Sequence, residues 1–95
     1  MLQGSANMLV TDKRLHICPN PFGDAFVVRY SGKDLGHGKL SIYTLDMRLV
    51  ANYPFEKTSF NMNQRFFVNG LANGFYIVEY QIGDTKLFTR QLRLR

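Results

Sequence analysis

The sequence predicts an all-β domain, an antiparallel β-sandwich of about seven strands, and three observations predict it. Apolar and polar residues alternate with period 2 from residue 14 onward, with no helical stripe. Turn-forming residues recur roughly every eight to twelve positions. Leu71-x-x-Gly74-x-Tyr76 matches the recipe of a tyrosine corner, a ring packed inside with its hydroxyl bonded to upstream backbone, which makes the sandwich immunoglobulin-like.

Each element follows in order. Arg14–Cys18 is a first strand that stops at Pro19, because proline cannot donate to a ladder and holds its predecessor extended. Asn20, between two prolines, is held extended too. Ala25–Ser31 is the second strand, with Phe26, Val28 and Tyr30 facing the core. Ser31–Gly38 is a loop leading into Lys39–Leu45, where Leu40 and Ile42 share one face and Tyr43 and Leu45 the other. Asp46-Met47 reads as a two-residue hairpin, with Arg48–Tyr53 returning and Pro54 ending the strand. Phe55–Asn63 has no legible pattern. Gln64–Val68 is a fifth strand whose start could lie as early as Ser59, and Asn69-Gly70 and Asn73-Gly74 are turn signals that call for positive φ. Phe75–Ile82 sets Tyr76, Val78, Tyr80 and Ile82 inward. Gly83-Asp84 turns the chain into Thr85–Leu94, with Phe88, Leu92 and Leu94 inward and Arg90 on that same face, where it must snorkel or pair.

Composition bounds the function. A chain of 95 residues is one domain, and at this size folding hides only roughly 60–65% of the unfolded chain's surface. Eight Phe and five Tyr therefore supply much of the core. The single cysteine, Cys18, excludes an internal disulfide and is expected to be a small buried hydrophobe. A net charge of +5 and a pI near 9.7 favour an anionic contact, whether nucleic acid, lipopolysaccharide or an acidic protein surface. Most basic residues are scattered, but Lys86, Arg90, Arg93 and Arg95 cluster on the final strand, where charges also guard a sheet edge.

No apolar run is long enough for a transmembrane helix, and Met1–Val10 lacks the pattern of a secretory signal. Residues 1–12 read as linker or expression-derived residues, and 13–95 as the domain. His16 and His37 neighbour no plausible nucleophile, the acidic residues have no metal-ligand spacing, and Gly36-x-Gly38 precedes a strand rather than a helix. Neither catalysis nor a cofactor is expected.

Three motifs remain, in order. They are Pro19-Asn20-Pro21-Phe22; Ile42-Tyr43-x-Leu45-x-x-Arg48-Leu49-Val50; and Leu71-x-x-Gly74-x-Tyr76-x-Val78. Together they resemble the C-terminal sorting domain of type IX secretion in Gram-negative bacteria. The resemblance covers about residues 14–95. It implies a non-catalytic signal that directs a cargo protein through the outer-membrane translocon to the cell surface by way of the periplasm. A surface sortase then commonly removes the signal and joins the cargo to anionic lipopolysaccharide. It also implies that the chain is the end of a longer precursor.

Two departures mark a divergent member, one that could stay on its protein uncleaved. Thr44 and Met47 stand where the family usually has Asp and Gly, and methionine at positive φ costs on the order of 1 kcal/mol, which favours another turn geometry here. The last strand ends in arginine rather than lysine. Recognition is expected at Lys86, Arg90, Leu92, Arg93, Leu94 and Arg95, by shape, edge pairing and charge. The rival reading is an immunoglobulin-like adhesion or carbohydrate-binding module using exposed Tyr43, Tyr53 or Phe75. Nucleic acid is disfavoured for want of an interleaved aromatic platform. An unpaired edge strand also offers a route to a homodimer.

Overall fold

The structure, a computed structural model, describes residues 14–95. The reading of 1–12 as linker falls outside the described residues. Seven strands form two antiparallel sheets: β1 (Leu15–Cys18), β2 (Ala25–Ser31), β3 (Gly36–Tyr43), β4 (Leu49–Lys57), β5 (Asn61–Phe67), β6 (Gly74–Ile82) and β7 (Thr85–Arg93). One sheet has the order β1-β2-β5, the other β4-β3-β6-β7. This is the all-β sandwich expected from the alternation.

The core lies between the sheets and is aromatic at its centre. Phe26, Val28 and Tyr30 of β2 and Tyr76, Val78, Tyr80 and Ile82 of β6 are buried, on the faces the alternation assigned. Tyr80 packs on Tyr30 with ring centroids 4.6 Å apart and stacks on Phe55 at 5.2 Å, while Phe22 meets Phe26 edge-on at 5.1 Å. Offset and edge-on contacts of this kind add about 0.5–1.5 kcal/mol each beyond simple burial.

The tyrosine corner is present. The Tyr76 hydroxyl donates to the Ala72 carbonyl at 2.7 Å. At the opposite end of the sandwich, Lys57 Nζ is buried and donates to the Gly32 and Ser59 carbonyls at 2.5 and 2.6 Å, beneath the Tyr30 ring.

Several expectations need correction. β4 does not end at Pro54 but runs through it to Lys57, carrying Phe55 into the core. It is an edge strand, where the donor that proline lacks costs no ladder bond. β3 begins at Gly36, three residues before the expected start, because Gly36 and His37 pair with Lys57 and Glu56 of the lengthened β4. The β3–β4 hairpin turns through Leu45, Asp46 and Met47, closed by Met47 N–H to Thr44 O and Thr44 N–H to Arg48 O, both 2.9 Å. Met47 keeps a positive φ of 67°, so the left-handed residue persists without glycine.

Cys18 is exposed rather than buried. With Leu15 and Ile17 inward, period 2 sends His16 and Cys18 outward. On β7 the phase is the reverse of the expected one: Leu87, Thr89, Gln91 and Arg93 face in, Phe88 and Leu92 are half-buried on the outer face, and Leu94 is exposed. Arg90 is consequently on the solvent side and has no need to snorkel. The polar inward side chains are held largely by hydrogen bonds, which is why an apolar count along this strand misassigns its faces.

Candidate docking surface

The outer face of the four-stranded sheet is built in cross-strand rows. Leu49, Tyr43, Ile77 and Arg90 form one row, and Phe75 and Leu92 stand opposite each other beside it. Next come Asn52, Ser41, Glu79 and Phe88, then Pro54, Lys39, Gln81 and Lys86.

The register slips between Ile42 and Tyr43, inserting an extra residue in β4. Leu49 and Val50 consequently are both exposed, at 49% and 40%, beside the exposed hairpin residues Leu45 and Met47. Phe75 is 48% exposed and carries the Arg90 guanidinium over its ring at 5.2 Å. An apolar strip therefore lies between Arg48 and Arg90, both exposed. Arg48 is within 3.7 Å of Asp46, a surface pair worth little on its own.

Behind this strip the face is polar and fixed. The Tyr43 hydroxyl donates to Glu79 Oε1 at 2.8 Å, and Lys86 Nζ lies 3.6 Å from Glu79 Oε2. The hydrogen bond to Glu79 raises the Tyr43 phenol above its ordinary pKa, with burial and the Glu79 charge adding to it.

The residues expected to meet a partner are now separated by position. Lys86, Arg90 and Leu92 belong to this outer face, and Leu94 and Arg95 are exposed at its end, Arg95 within 3.1 Å of Asp24. Arg93 does not join them. It is only 4% exposed, donating to Gly23 O at 3.0 Å, Leu71 O at 2.5 Å and Asn73 Oδ1 at 3.4 Å, and pairing with Asp24 at 3.2 Å. The rigid fork of a guanidinium suits such a junction of loops, and Arg93 is a clamp.

The three motifs have different roles. Pro19-Asn20-Pro21-Phe22, with cis bonds before both prolines, fastens the end of β7: Asn20 Oδ1 accepts from Leu92 N–H, Phe22 N–H donates to Leu92 O, and Leu94 N–H donates to Phe22 O. Phe22 is fully buried. In the second motif Ile42 is core, whereas Leu45, Arg48, Leu49 and Val50 are exposed and Tyr43 is half-buried. Sequence reasoning treated that motif as structural. The signal that could have separated it is the adjacency of Leu49 and Val50 just after a turn, which strict alternation does not allow. The third motif supplies Leu71, Gly74, Tyr76 and Val78 to the tyrosine corner and the core.

Of the aromatics that a carbohydrate-binding reading would use, Tyr53 packs against the core and touches Phe66, leaving Phe75 as the exposed ring. A protein-family model described as a secretion system C-terminal sorting domain matches residues 16–92. No curated protein and no solved structure matches.

Proposed function

The chain belongs to the C-terminal sorting domain family of type IX secretion, and from that membership we propose that a component of the export machinery docks on the outer face of its four-stranded sheet. The domain is a sorting signal, and its cargo is exported to the cell surface or beyond. In the finer reading it does no chemistry itself. It carries its cargo from the periplasm to the outer-membrane translocon, and a surface sortase and anionic lipopolysaccharide act on the cargo afterwards.

The observation that carries the docking face is the solvent-facing strip of Leu49, Val50 and Phe75 with Arg90 laid over it. These side chains do nothing for the core, and an apolar strip rimmed by arginine fits a partner surface that is apolar with acidic margins. Lys86, Leu92, Leu94 and Arg95 extend the face toward the chain end.

A reporter fused ahead of the domain in a bacterium that carries type IX secretion tests this. Phe75→Asp with Arg90→Glu should strand the reporter in the periplasm while leaving the domain's circular dichroism and melting temperature near wild type. Undiminished surface display of the folded variant would overturn the assignment of this face.

A further inference from the structure

The outer edge of β5 is open. At the two ends of the β2–β5 ladder, Gly32 N–H donates to Phe60 O at 3.0 Å and Val68 N–H to Asp24 O at 2.7 Å. Main-chain groups of successive residues in an antiparallel strand point to opposite sides, so Met62, Gln64 and Phe66 face β2 while Asn61, Asn63, Arg65 and Phe67 face away. Ser59 Oγ donates to Asn61 O at 2.9 Å. Asn63, Arg65 and Phe67 each present an N–H and a C=O outward, and among the described residues no strand meets them. β4, an edge of the other sheet, carries Pro54 and a bulge, both of which discourage pairing; β5 has neither.

The sheet face beside this edge is cationic. β1, β2 and β5 contain no Asp or Glu. Arg29 stands opposite Asn63 and Arg65 opposite Val27, so the two arginines are diagonal neighbours on the outer face of the three-stranded sheet. Both are exposed, and neither has an ion-pair partner among the described residues. Like charges this close repel each other, and an acidic side chain set beside them relieves that cost. Phe67, 65% exposed, follows Arg65 on the same face and adds an apolar neighbour.

We propose that an extended, acidic segment of another protein adds to β5 along Asn63–Phe67 as an antiparallel strand, the more stable pairing, with a carboxylate side chain opposite Arg65. The residue opposite Arg65 shares its face and turns its own N–H and C=O toward β5. Main-chain pairing supplies affinity, and the arginines select the side chain. A second copy of this chain suits the edge less well, because β5 paired with itself brings the arginines of both copies onto one face. The site shares no residue with the sheet face proposed to dock the export machinery and does not rest on that reading.

The probe is a fluorescein-labelled heptapeptide of alternating threonine and glutamate, titrated by anisotropy into the full chain. It should bind, and its threonine–lysine counterpart should bind about tenfold more weakly or worse. Arg65→Glu should reverse that preference. Asn63→Pro, which removes an outward donor from an edge strand, should weaken binding about tenfold. N-methylation of the glutamate amides, which face β5 in this register, should abolish binding, whereas N-methylation of the threonine amides, which face away, should leave it nearly unchanged. The methylated peptides need no change to the chain, so they decide the geometry even where Asn63→Pro fails to fold. Failure to bind, equal affinity for the lysine peptide, a preference that Arg65→Glu leaves intact, or equal effects of the two methylations would overturn the proposal. So would sedimentation showing a dimer of this chain that Asn63→Pro dissolves, since the edge would then belong to a second copy.

Discussion

Met47 holds a left-handed backbone, φ 67°, that glycine adopts without strain. Met47→Gly should therefore raise stability by up to about 1 kcal/mol, seen as a rise of a few degrees in melting temperature, and no gain would mean that the turn relaxes around methionine. Arg93 is the opposite case, a residue whose identity is dictated by its neighbours. Its fork spans Gly23 O, Leu71 O and Asp24, which a lysine cannot reach together. Arg93→Lys should lower the unfolding free energy by about 2–3 kcal/mol in urea titration, with a larger loss for Arg93→Ala. The sequence shows Arg93 only as one more positive charge in a basic run. Nothing local distinguishes a clamp from a docking residue, because the partners lie 20 to 70 positions upstream.

At the scale of the element, legibility followed local information. β2 and β6 were readable to within a residue, since strict alternation and turn glycines fix both phase and ends. β4 was not, because Pro54 signals a stop unless the strand is known to lie at an edge, and edge position is a property of the sheet. β7 was misphased because Thr89, Gln91 and Arg93 face inward on the strength of hydrogen bonds that no hydropathy pattern contains. The docking strip was hidden by the bulge in β4, which breaks the period where the exposed apolar residues begin.

Gly38 shows the converse. Within β3 it faces Phe55, and a Cβ there would meet that ring and stand 2.7 Å from Gln81 O. Gly38→Val should displace Phe55 from its stack on Tyr80 and cost about 1–3 kcal/mol, read from the urea midpoint and from loss of near-ultraviolet dichroism. An unchanged midpoint would show that the sheet can spread at this point.

The whole molecule is stabilised by aromatic packing between two sheets, with no disulfide, and that gives it an alkaline limit. Burial raises the Tyr80 and Tyr53 phenols, and the Glu79 hydrogen bond raises Tyr43. A group whose folded pKa lies above its unfolded value stabilises fully below the unfolded pKa, about 10 for tyrosine, and loses that contribution as pH climbs through the folded value. The urea midpoint should accordingly hold up to about pH 9.5 and fall steeply above pH 10, and Tyr43→Phe should make the fall shallower. A midpoint insensitive to pH between 9 and 11 would mean that these phenols ionise equally well in both states.

Asn20, through its side chain, and Phe22, through its backbone, hold the main chain of Leu92 and Leu94, with Asn20 and Leu92 72 positions apart. Without Leu92 and Leu94 that loop has nothing to grip and the sandwich is unlatched there. The latch thus couples two distant parts of the domain, and neither that loop nor the end of β7 is fastened without the other.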